Sequence, residues 1–187
     1  LDGEGHLFAF GARATILAAG GLGQMYSRTN NVAGATGDAY ALAYDIGARL
    51  QDMEFIQFYP TAFGQDAEAW YLRYEDLIHE PGVAIRNALG ENILEMYDLQ
   101  ALTRDKLTRA IMLEVAEGRA MDGTLAFDLT AVTDERIRIA YSANVMGDNR
   151  AEPEWPSGGR GPGSRDGKFL RVAPTTHFSM GGGMVNS

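Results

Sequence analysis

The 187-residue sequence contains no cysteine and only three histidines. Without thiols, disulfides, thiolate zinc sites and iron–sulfur ligation by this chain are excluded. The histidines, His6, His79 and His177, lie too far apart to form a metal-binding pattern, and no metal site is expected. Positive charge is scarce: 16 Lys and Arg stand against 25 Asp and Glu, for a net charge of −9. Nucleic acid and anionic membrane surfaces select basic faces, so neither is expected as a partner. No apolar run approaches the ~18 residues that identify a membrane span, so direct membrane insertion is not expected. No Ser-His-Asp or HExxH arrangement is visible. Gly21-Leu22-Gly23 begins a dinucleotide fingerprint, but Tyr26 occupies the place of its third glycine. The chain opens at Leu1 rather than Met, with no secretory leader, and reads as a piece of a longer protein.

What is present is an apolar content of 45% with 22% charged residues, enough for a core and an ordinary surface, in one domain or two small lobes. Asp2-Gly3-Glu4-Gly5 is turn chemistry, and residues 6–10 and 13–19 read as the two strands of a hairpin. The second strand runs into Gly20-Gly21. Backbone that bare approaches a ligand closely, or else marks a tightly packed crossover. Thr36-Gly37-Asp38 reads as a helix start, with Gly47 ending its apolar part. Asp38 is either an ordinary first-turn acid that favours the helix dipole or a carboxylate facing a ribose. Residues 53–58 read as a strand stopped by Pro60, 64–70 as a loop, and 83–87 with 91–97 as a hairpin turning at Gly90. The clearest helix spans 103–117, with Leu107, Ala110, Ile111 and Val115 on one face, Thr103 as its cap and Gly118 as its stop. Arg104 falls in the first turn of that helix, where the dipole disfavours a cation. It is either an exposed arginine beside Asp105 or a residue placed for chemistry. A strand over 124–129, a helix over 134–141, a Gly/Pro/Ser-rich loop over 152–168 and a strand over 169–173 complete the reading.

Four ordered segments, LAAGG (17–21), TGDAYALAYDIGARLQDMEFIQFYPT (36–61), LTRDKLTRAI (102–111) and TTHFSMGG (175–182), resemble the flavoprotein subunit of succinate dehydrogenase and fumarate reductase. L-Aspartate oxidases and soluble fumarate reductases belong to the same superfamily. The resemblance implies an α+β fold: a capping lobe (61–172) between partial FAD-binding, Rossmann-like segments (1–60 and 173–187). It implies FAD as cofactor, with Gly20 and Gly21 at a strand end near it and Asp38 as an acidic contact. It casts His177 as a ligand of a substrate carboxylate, Arg104 as proton donor or acceptor, and Glu75 as its proton partner. Tyr59 stands where respiratory members have histidine and Tyr74 where they have threonine, so both are expected to line the substrate. A phenol donates a hydrogen bond to a carboxylate but brings no positive charge.

The expected reaction interconverts fumarate and succinate, or a related unsaturated acid, by hydride transfer at flavin. An L-aspartate-oxidase-like or other enoate-reducing flavoenzyme is the alternative, and a non-catalytic flavoprotein-derived binding module is the reading from a different class. By the same resemblance the partners are a small dicarboxylate and an iron–sulfur electron-transfer subunit. The location is cytoplasmic, at the inner face of the cytoplasmic membrane through partner subunits. Glycines at 157–163 suit a segment that moves as the capping lobe closes.

Overall fold

The longest strand, β6 (Phe169–Ser179), organises a computed structural model that describes residues 3–63, 70–71, 73–97, 99, 102–142 and 168–184. Around it stand β2 (Ile56–Phe63), β3 (Trp70–Tyr71), β4 (Ala84–Arg86) and β5 (Leu125–Asp128), in the antiparallel order β3-β2-β6-β5-β4. β5 lies between two neighbours and every one of its residues is buried, as its apolar LAFD sequence requires. A separate two-stranded ladder pairs β1 (Leu50–Gln51) with β7 (Gly182–Gly183).

Helix α3 (Arg104–Ala116) packs on β2 and β6. It buries Leu107, Ala110, Ile111 and Glu114, spaced three and four apart as one helical face demands. These side chains meet Ile85, Leu125, Phe127, Leu170 and Val172 from the sheet in a single core, with Ile137 and Ala140 of α4 (Asp134–Ser142). The remaining helices are α1 (Asp38–Asp45) and the single turn α2 (Ile93–Met96).

The helix expected over 103–117 is therefore present. Thr103 is its N-cap, although its hydroxyl donates to Asp105 Oδ1 (2.5 Å) rather than accepting from the backbone, and Gly118 follows the end with φ of 72°. Several expectations need correction. Residues 6–10 and 13–19 form no strands: they are exposed and lie against no neighbouring strand, and a strand exists only through its ladder. The hairpin expected across Gly90 keeps only its first arm. Asn92 accepts a hydrogen bond from the Leu94 N–H, capping α2 and turning the second arm helical.

The strand expected to stop at Pro60 runs on to Phe63, and the one expected over 169–173 runs on through Pro174 to Ser179. The reason lies in the register. Tyr59 pairs with Thr175 and Ala62 with Ala173, so Pro60 and Thr61 oppose Pro174 in a β-bulge. Both prolines, which have no N–H to give, sit where the ladder is already interrupted. A second irregularity follows: Gln57 pairs with Phe178 but Phe58 with Thr176, which leaves His177 as the extra residue. The loops expected over 64–70 and 152–168, with the glycines at 157–163, lie largely outside the described residues.

Candidate functional site

The two bulges bracket a cluster of side chains drawn from four places in the chain. Tyr59 comes from β2, His177 from the bulge in β6, Arg104 from the first turn of α3, and Tyr74 and Glu75 from a short 3₁₀ turn over Tyr74–Asp76. A bulge re-aims the side chain it carries. Tyr59 is 1% exposed, and its ring centroid lies 5.7 Å from that of Tyr74 and 5.6 Å from that of His177. The Arg104 guanidinium stands 5.1 Å above the Tyr59 ring, within the range of a cation–π contact. Tyr59 donates its hydroxyl proton to Glu75 Oε2 at 2.7 Å, and Arg104 Nε approaches Glu75 Oε1 at 3.4 Å. Arg104 Nη1 lies 3.5 Å from Gln57 Oε1. All five residues expected in the substrate site therefore meet.

Electrostatics assign one cation to this cluster. Burial, reinforced by the Arg104 charge and only partly opposed by Glu75, depresses the His177 imidazole to about 4, so the ring is neutral at neutral pH. The Asn30 side-chain amide lies 2.9 Å from His177 Nδ1. Burial also raises both phenols, with the Glu75 charge adding to the effect; Tyr74 is pushed up to about 12 and Tyr59 further, so both remain protonated donors. Beside the cluster a cleft of about 550 Å³ is lined by Ile56, Gln57, Phe58, Thr103, Arg104 and Thr108, among others. The Thr108 hydroxyl is buried and has no partner among the described residues.

The second group of expected residues lies beyond Ser179. Gly20 and Gly21 sit at the turn, where the Leu22 N–H donates to Ser179 Oγ (3.1 Å) and the Gly37 N–H to Gly21 O (3.0 Å). A Cβ on Gly21 would stand 3.1 Å from Ser179 Oγ, and one on Gly181 only 2.3 Å from Asp52 O, so these glycines let chain segments touch. Gly20, Gly182 and Gly183 differ: a Cβ there would meet nothing, leaving backbone bare toward the outside. Asp38 is exposed in the first turn of α1, its carboxylate accepting from the Thr36 hydroxyl (3.0 Å); the N-cap itself is Gly37, with φ of 87°. Bare glycine backbone beside a helix start with an exposed acid fits a dinucleotide such as FAD.

Sequence reasoning missed Asn30, Asn31 and Gln57. Asn31 donates to the carbonyls of Thr176 and His177, holding the bulged backbone (both 3.1 Å). Nothing in the RTNN segment announces a link to a residue some 150 positions away.

An antiparallel sheet capped by helices, with a polar cluster at its bulged edge and bare glycines at a strand end, defines a flavoprotein of the succinate dehydrogenase and fumarate reductase superfamily. The chain belongs to the FAD binding domain family, whose pattern matches residues 2–187. One component of the fumarate reductase (CoM/CoB) of Methanothermobacter marburgensis is 33% identical over 183 residues, covering 93% of this chain and 30% of that protein. L-Aspartate oxidase of Halalkalibacterium halodurans is 38% identical over 188 residues, covering 98% of this chain and 31% of that protein. The solved structure of Mycobacterium smegmatis Sdh1 in complex with UQ1 superposes with a TM-score of 0.64 at 26% identity, over 90% of this chain and 27% of that one. The chain thus spans about a third of the length of the curated relatives it matches. Among the described residues no helix is long and apolar enough to cross a membrane.

Proposed function

We propose that this chain forms the substrate-binding and proton-handling part of an FAD-dependent oxidoreductase that interconverts fumarate and succinate, or a closely related unsaturated acid. The observation that supports this most is the meeting of Arg104, Glu75, Tyr59 and His177 beside an open cleft. Bound FAD supplies the hydride for one carbon of the double bond, and the protein must deliver a proton to the other. Arg104 holds a substrate carboxylate by charge and polarises the double bond through it. The same guanidinium hands over the proton and recovers one from Glu75, because arginine does not stay deprotonated. Neutral His177 and Tyr74 donate hydrogen bonds to the substrate, while Gly20, Gly21 and Asp38 face the cofactor. Residues 61–172 act as the capping lobe between the FAD-binding segments 1–60 and 173–187.

A relative named as one component of a larger enzyme supports an iron–sulfur electron-transfer protein as partner. That partner would hold the protein at the inner face of the cytoplasmic membrane. The alternative substrate is L-aspartate, favoured by the 38% identity to an L-aspartate oxidase.

The test is to reduce the complete protein anaerobically and follow flavin reoxidation on adding fumarate. Rapid reoxidation is expected. A flavin that stays reduced with fumarate, in a protein that oxidises L-aspartate, selects the alternative. A complete protein without flavin refutes both.

A further inference from the structure

We propose that Tyr59 is a positioning residue whose hydroxyl grips one oxygen of Glu75 so that the other faces Arg104. The inference rests on the oxidoreductase reading above, in which Glu75 returns a proton to Arg104.

The geometry supplies the reason. Glu75 rides on a three-residue 3₁₀ turn and its side chain is 36% exposed, so packing does little to fix its carboxylate. Tyr59 is the opposite: 1% exposed, with its ring held between Tyr74, His177 and the Arg104 guanidinium. A ring fixed on three sides directs its hydroxyl to one place, and that place is 2.7 Å from Glu75 Oε2. The carboxylate is then orientated by a rigid donor, and its other oxygen, Oε1, lies 3.4 Å from Arg104 Nε. A phenol suits this task because it donates without adding charge. A second cation there would compete with Arg104 for Glu75 and weaken the exchange between them.

Phenylalanine keeps the ring and its packing and removes only the hydroxyl. The experiment compares Tyr59→Phe and Tyr59→His in the complete flavin-loaded protein. It measures kcat and KM against pH and, independently of turnover, the titration of the Glu75 carboxyl by isotope-edited infrared spectroscopy with Glu75→Gln as baseline. Loss of a hydrogen bond to a carboxylate raises its pKa. In Tyr59→Phe the Glu75 titration, and the limb of the kcat profile that it sets, are expected to move up by about one pH unit. The same variant should lose about ten- to a hundredfold in kcat with a smaller change in KM. Tyr59→His, which restores a donor, should recover much of both. A Tyr59→Phe protein with the wild-type Glu75 titration overturns the proposal, whatever its activity. If the wild-type protein turns over neither fumarate nor L-aspartate, the functional reading fails, and the infrared titration alone decides the role of Tyr59.

Discussion

Removing the carboxylate of Glu114 should loosen the helix that carries Arg104. Glu114 lies ten residues further along α3, fully buried, and its two oxygens accept from Asn87 Nδ2 (2.8 Å), the Tyr97 hydroxyl (2.5 Å) and Arg119 Nε and Nη2 (2.8 and 2.7 Å). These bonds, with that of Arg119 the strongest, outweigh the cost of burial and hold its carboxyl at about 2 instead of 4.5. At about 1.36 kcal/mol for each pH unit, that difference corresponds to about 3 kcal/mol. Deleting one partner of a buried ion pair costs about 3–5 kcal/mol. The lower end applies here, because Arg119 is 23% exposed and keeps Glu117 as a second partner (2.5 Å).

Glu114→Ala should therefore lose about 3 kcal/mol of local stability, which speeds hydrogen exchange of the buried α3 amides about a hundredfold. Mass-spectrometric exchange on the complete protein, reading the peptide over 104–116, measures this. Because the folded carboxyl is depressed, its contribution is complete above pH 4.5 and drains away as pH falls through about 2. The gap between variant and wild type should close over that window. Exchange in Glu114→Ala within about threefold of wild type at pH 7 would mean the four bonds contribute far less than their geometry implies.

Other outcomes follow from the site. Arg104→Lys keeps the charge but loses the planar fork that reaches Glu75 and Gln57, and kcat should fall by about a hundredfold or more; near-normal turnover would remove Arg104 from the proton path. The His177 ring should stay neutral, by NMR titration, down to about pH 4. From its ordinary 6.5 down to about 4 the unfolded chain binds the proton and the folded one does not, so His177 makes stability fall with pH across that range. A ring titrating near 6.5 in the folded protein contradicts its burial. Gly181→Ala puts a Cβ 2.3 Å from Asp52 O and must push β7 from β1. Purified protein should then carry less flavin per chain, read from its visible absorbance, and full flavin content would show that the glycine turn bears no part of the cofactor site.

Much of this was legible in the residues themselves because it is local. The face of α3 follows from a three-and-four spacing of apolar side chains, and its ends from Thr103 and Gly118. The start of α1 at Asp38 and the left-handed Gly47 after it follow from glycine's freedom at positive φ. Composition alone excluded thiol chemistry. The order of the four segments carried the family resemblance, and with it the identity of Arg104, Glu75, Tyr59, Tyr74 and His177 as residues of one site.

What those residues do to one another was decided by tertiary structure. Pro60 and Pro174 read as strand breakers until the register sets them opposite each other in a bulge, where a missing N–H costs no ladder bond. His177 is aimed by a second bulge that no single strand's sequence encodes, because a bulge belongs to a pair of strands. Residues 6–19 have strand-like composition and form no strand, since the ladder that would define one needs a partner. Tyr59 was expected to reach the substrate, yet its hydroxyl goes to a glutamate sixteen residues away. Hydrogen-bond partners are set by which elements pack together, and a linear pattern of side chains does not carry that information.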